Sequence, residues 1–78
     1  MTPKEVDKLA SDANLGLRNQ PGYVNTTVHS YGPVILAHHF NNYRDSHAFA
    51  MYLIAPKDIR YSIDPADACT VLERRTEG

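Results

Sequence analysis

Only one cysteine, Cys69, stands in these 78 residues, so no internal disulfide framework can staple the chain. The four glycines are scattered, which excludes a glycine-rich phosphate-binding loop. No Cys-x-x-Cys pair and no helical His-x-x-x-His pair occurs, so the usual zinc-ligand spacings are missing. No apolar run approaches the roughly 18 residues of a membrane span, and no cationic stretch leads into an apolar one at the start. The expectation is a soluble, cytoplasmic protein without a membrane partner. The Asn25-Thr26-Thr27 sequon is read as accidental in that setting. Charge of one sign is also lacking. The formal net charge is −1 with both signs interspersed, so the basic bias of a dedicated nucleic-acid binder is missing and direct nucleic-acid binding is not expected. There is no internal repeat, low-complexity tract or linker.

What is present is an ordinary globular composition, 42% apolar and 22% charged, enough to argue against wholesale disorder. One small domain of this length has little room for both a core and a deep cleft, which favours a binding module over an enzyme. Thr2, Pro3 and Glu5 match a capping box with proline at the first helical position. Val6, Leu9, Ala10, Ala13 and Leu17 follow at helical spacing, and Asn19 to Gly22 ends the helix. Tyr23 to Tyr31 is rich in Tyr, Val and Thr and predicts a strand, broken by Gly32-Pro33.

The apolar stretch Pro33 to Ile54 predicts a hairpin at the sheet centre, two strands joined by the loop Asn41 to Ser46. Over 47–55 a strand is preferred to a helix, although Ala, Met and Leu are helix formers and Ser46 could cap. Tyr31 is expected opposite Val34, His29 opposite Leu36, Thr27 opposite His38, Phe40 opposite His47 and Leu36 opposite Met51. One face then carries His29, Leu36, His38, Phe40, His47 and Met51, and the other Val24, Val28, Ile35 and His39. Ile59 to Ile63 alternates as a further strand. Asp64-Pro65-Ala66-Asp67 suggests a short C-terminal helix to about Arg74, with a strand over 69–74 as the competitor. The tail 76–78 is expected to fray. The fold class is therefore α+β: an N-terminal helix packed on a three- to four-stranded antiparallel meander, then a short C-terminal helix or strand.

Candidate chemistry is sparse. His29, His38 and His47 could present imidazoles from one face for zinc, whereas the adjacent His38 and His39 must diverge on a strand. The same histidines with Arg44, Asp45 or Arg60 could support acid–base cleavage of RNA, or a pH-sensitive interface. The plainer reading is hydrogen-bonded sheet histidines with no cofactor and no catalytic residue. Cys69 falls near a predicted helix start, where a thiol can be activated, but no partnering histidine lies close in sequence. Lys57, Arg60, Arg74 and Arg75 interleave with Asp58, Asp64, Asp67, Glu73 and Glu77 as a solvated mixed face. The five tyrosines suit strands or a partner surface. The expected contact surface is the hairpin tip Asn41, Asn42, Tyr43, Arg44 and Asp45, together with Arg60 and Tyr61.

In size, mixed composition and absence of motifs over its whole length, the chain resembles the small host-inhibiting proteins of phages and mobile elements, of the anti-CRISPR type. That resemblance implies a non-enzymatic inhibitor or adaptor in the host cytoplasm that binds a nucleoprotein effector complex. It would block DNA binding or nuclease recruitment. Many such proteins are strongly acidic DNA mimics; the net charge of −1 departs from this and favours steric blockade. A homodimer is a further expectation.

Overall fold

The computed structural model describes residues 2–53 and 60–75. Expectations for 54–59, including Lys57, Asp58 and the start of the Ile59 strand, and for the tail 76–78 lie outside the described residues.

Helix α1 (Pro3–Leu17) begins as its sequence dictates. The Glu5 N–H donates to Thr2 Oγ1 at 3.2 Å, and the Thr2 N–H donates to Glu5 Oε1 at 2.7 Å. Its stripe buries Val6 and Ala10 against Val34 and Leu36. Strands β1 (Tyr23–Tyr31) and β2 (Val34–Phe40) form an antiparallel hairpin across a cis Gly32-Pro33 bond, with Tyr31 opposite Val34 as expected. Two residues further the register slips. A bulge at His29 sets Val28 opposite Leu36 and Thr26 opposite His38. Val28 therefore packs on the α1 side, not on the opposite face, and His29 is exposed.

Residues 47–53 correct the expected strand. Helix α2 spans Tyr43–Leu53 and takes over most of the expected loop. Asn42 caps it: its Oδ1 accepts the Asp45 N–H at 2.8 Å and its Nδ2 donates to Asp45 Oδ2 at 2.8 Å. The buried positions Ser46, Phe49 and Ala50 follow helical spacing, while Met51, which strand alternation would have buried beside Phe49, is 70% exposed. The short helix is tied down by Ser46, whose hydroxyl lies 2.6 Å from the Ala68 carbonyl and 2.9 Å from that of Tyr43.

Strands β3 (Tyr61–Asp64) and β4 (Asp67–Arg75) form a second hairpin. The competing strand reading wins over the preferred C-terminal helix. Asp64 Oδ1 accepts the Ala66 N–H at 2.9 Å, so the Asp-Pro signal closes a turn instead of opening a helix. Thr70 and Val71 then continue as β-branched residues. All strand pairs are antiparallel, in the order β1-β2-β4-β3. The fold is α+β, but the sheet is not a simple meander: it is two helix–hairpin halves joined by their second strands. Helix α1 lies mainly on β1 and α2 on β4 and β3. One cluster joins Val6, Ala10, Val34 and Leu36; another joins Phe40, Phe49, Ala50 and Val71. Both helices cover the same sheet face. The other face, carrying Ile35, His39 and Leu72, has no layer over it among the described residues.

Gly22, where α1 hands over to β1, has φ 75°, and a Cβ there would lie 2.8 Å from Asp45 Cβ and closer still to its carboxylate. Gly22→Ala is expected to lower the unfolding free energy by about 1–3 kcal/mol. Gly16→Ala, on α1 with nothing within 4 Å of the added methyl, should raise it by about 0.5–1 kcal/mol. Urea titration of the two variants checks both signs.

Candidate functional site

The sheet alternation that divides His38 from His39 puts each into its own hydrogen-bonded chain. Inside, between the two apolar clusters, a polar seam crosses the domain from α1 to β4. Its first member is Asn14, whose amide orientation is set by the backbone. Oδ1 accepts the Thr26 N–H at 2.8 Å, and Nδ2 donates to the carbonyls of Ala10 at 2.9 Å and Thr26 at 3.1 Å. Oδ1 also accepts the Tyr23 hydroxyl at 3.0 Å. Tyr23 has then spent its only proton, so at 2.6 Å its oxygen accepts the hydroxyl of Thr26. Thr26 can in turn only accept from His38 Nδ1, 2.8 Å away, and that nitrogen carries a hydrogen.

The far side of the ring completes the seam. His38 Nε2 lies 2.8 Å from Glu73 Oε1, and the other Glu73 oxygen accepts from Arg75 Nε. Burial pushes the Glu73 carboxyl up, but hydrogen bonds from His38 and Arg75, with their charges, outweigh it and hold it below the ordinary carboxylate value. Glu73 is therefore the carboxylate, and Nε2 donates to it. Phe49 and Tyr61 wall the ring at 5.9 and 6.4 Å between centroids. Burial first, and then the Glu73 charge, raise the Tyr61 phenol against the opposing charges of Arg60 and Arg75. Among the described residues no buried side-chain polar atom lacks a partner.

Outside, Thr70 donates to Asp67 Oδ2 at 3.0 Å, so it accepts from His39 Nδ1 at 3.0 Å; His39 Nε2 meets Thr27 Oγ1 at 2.8 Å. This row of Thr27, His39, Thr70 and Asp67 spans the uncovered face. The structure thus separates the expected histidine trio. His29 is exposed at the β1 bulge, His38 is 1% exposed in the core, and His47 is exposed on α2. Among the described residues no three His, Cys, Asp or Glu side chains gather as a metal site. Acid–base chemistry on a polymer finds His38 and Glu73 sealed from solvent. Cys69 lies within β4 and not in the first turn of a helix.

The expected contact surface divides as well. Asn41, Tyr43 and Arg44 are exposed at the start of α2, while Asn42 and Asp45 are its cap. Tyr61 belongs to the core periphery. Arg60 lies by the opposite end of the second hairpin, its guanidinium 5.9 Å from the Tyr61 ring centroid. Glu73, read from sequence as one of a solvated set, is 2% exposed. Its signal was the alternation Val71-x-Glu73, which sets the acid on the inward phase of a strand. Asn14 and Thr26 carried no such signal. Against known proteins, no family model, no curated protein and no solved structure matched the chain.

A depressed Glu73 carboxyl fixes the sign of the acid response. Unfolded, the group takes up its proton near about 4.3; folded, it does so at lower pH. Its contribution is complete above the unfolded value and is lost as pH falls through the folded one. Glu73→Gln should cost about 3 kcal/mol at pH 7 and flatten that acid limb, as read by urea titrations from pH 3 to 7. In 15N NMR of the folded protein, His38 Nδ1 should carry a hydrogen; a bare Nδ1 would contradict the proton order of the seam.

Proposed function

We propose that the protein is a non-enzymatic inhibitor or adaptor that acts by protein–protein contact through the outer face of α2. The observation that carries this reading is the concentration of large apolar side chains on one short helix. Tyr43, Met51 and Tyr52 are 67%, 70% and 89% exposed. Tyr52 also borders a shallow, mainly apolar groove of about 250 Å³ lined by Gln20, Pro21, Asp45, Ala48 and Phe49. Isolated exposed apolar residues are normal on soluble proteins, but a helix that exposes several along its length, with Tyr52 beside a groove, suits a partner surface. Tyr43 and the neighbouring Arg44 are of the residue types that dominate interface energetics.

The partner in this reading is a subunit of a host nucleoprotein effector complex, bound in the host cytoplasm in the manner of an anti-CRISPR protein. The net charge of −1 favours steric blockade over imitation of DNA. Among the described residues no helix is long and apolar enough to cross a membrane. The test is a reconstituted effector assay. The protein should bind the complex and prevent either target-DNA binding or nuclease recruitment. Tyr43→Ala with Tyr52→Ala should weaken binding at least tenfold while leaving the circular dichroism spectrum unchanged. Target binding and cleavage unaffected by excess protein would overturn the reading.

A further inference from the structure

We infer that β3 is a self-pairing edge, and that two copies of the chain join antiparallel through it about a twofold axis at Ser62. Strand β3 is the last in the sheet, and among the described residues nothing pairs with its outer side. The Arg74 N–H donates to the Arg60 carbonyl at 2.7 Å, so the backbone groups of Arg60 point inward to β4. Those of Ser62 share that direction by strand parity, and the N–H and C=O of Tyr61 and Ile63 point outward.

These outward groups are the ones that antiparallel pairing about Ser62 requires. Tyr61 and Ile63 of the second copy would exchange both hydrogen bonds, and so would the symmetry-related pair. The same register sets Arg60 of each copy opposite Asp64 of the other, on the uncovered sheet face where Arg60 and Ser62 sit. Edge strands usually carry charge to prevent pairing, and two like charges meeting across the axis would do so. Here the order Arg60-Tyr61-Ser62-Ile63-Asp64 turns that repulsion into attraction under twofold symmetry. Shifting the register by two residues either way opposes Arg60 to Ser62, or sets Pro65, which has no N–H, against Tyr61. The charge pattern and the backbone parity thus select one register. On the helix side, the half-buried Tyr61 and Ile63 meet their counterparts and extend the second core cluster across the axis. An isologous contact of this kind closes on itself as a dimer. A five-residue strand pairing covers less than the roughly 1,000 Å² of a durable interface, so the association is weak and concentration-dependent.

Sedimentation of the full chain from micromolar to millimolar concentration is the test. The wild type should dimerise, less so at high salt. Arg60→Asp and Asp64→Arg should each weaken dimerisation at least tenfold, and an equimolar mixture of the two should restore it, because the swapped charges again oppose. Ser62→Cys in a Cys69→Ser background should cross-link across the axis on mild oxidation, since a non-hydrogen-bonded antiparallel pair, with Cα atoms about 4.5 Å apart, suits a disulfide. Circular dichroism establishes that each variant folds. A monomeric wild type at millimolar concentration would overturn the proposal, as would folded swaps whose mixture stays monomeric. If a swap fails to fold, the exposed Ser62→Cys site decides alone, and absence of the cross-link counts against the pairing.

Discussion

The interaction on which most of this structure depends is the hydrogen bond between His38 and Glu73. Both groups lie in a core that otherwise consists of two small apolar clusters, and burying such a pair recovers little net stability against apolar replacements. What it supplies is uniqueness. His38 meets Thr26 on β1 and Glu73 on β4, so one ring measures the register of both neighbours of β2. Thr26 passes the same constraint to Tyr23 and Asn14, and Asn14 holds α1 by position along its axis. A one-residue slip of β2 would turn His38 to the open face and leave Glu73 without its ring partner inside. Apolar packing alone penalises such a slip more weakly in a core this small.

The fold was legible in the sequence where local signals agreed with one another. Thr2, Pro3 and Glu5 fix the start of α1 without any tertiary information, and the Tyr31–Val34 closure follows from Gly32-Pro33. Legibility failed over 41–53, where two signals conflicted. Strand alternation groups His47, Phe49 and Met51, and helical spacing groups Ser46, Phe49 and Ala50. Phe49 belongs to both sets and cannot discriminate. The deciding residues are Asn42 and Asp45, which are polar, ordinary in any loop, and structural only once their mutual hydrogen bonds exist. The His29 bulge was equally hidden, because the extra residue is set by the pairing of β1 with β2 and not by any residue within β1.

The inner seam was harder to read because it is assembled from distant positions. Asn14, Thr26, His38 and Glu73 stand on three different strands and a helix, and each alone is an unremarkable polar residue. Only the phase of Glu73 relative to Val71 hinted that the acid turns inward. The histidines, which first suggest a site, are instead divided by the period of two along β2. His38 organises the inside, and His39 ties β1 to β4 across the outside through Thr27 and Thr70. Adjacent residues thereby clamp the same three strands from both faces.

That division bears on where function can lie. With His38, Glu73, Asn42, Asp45, Asn14 and Ser46 committed to caps, seams and helix anchoring, the polar groups inside the described structure are occupied by one another. Chemistry at them would have to break the contacts that define the fold. The proposed recognition carries no such conflict, because among the described residues nothing pairs with the outer backbone of β3, and Tyr43, Met51 and Tyr52 of α2 are exposed. The two surfaces lie on the same helix–hairpin half, which β4 joins to β2. In a chain this short, a few internal hydrogen bonds between distant positions are enough to specify the core.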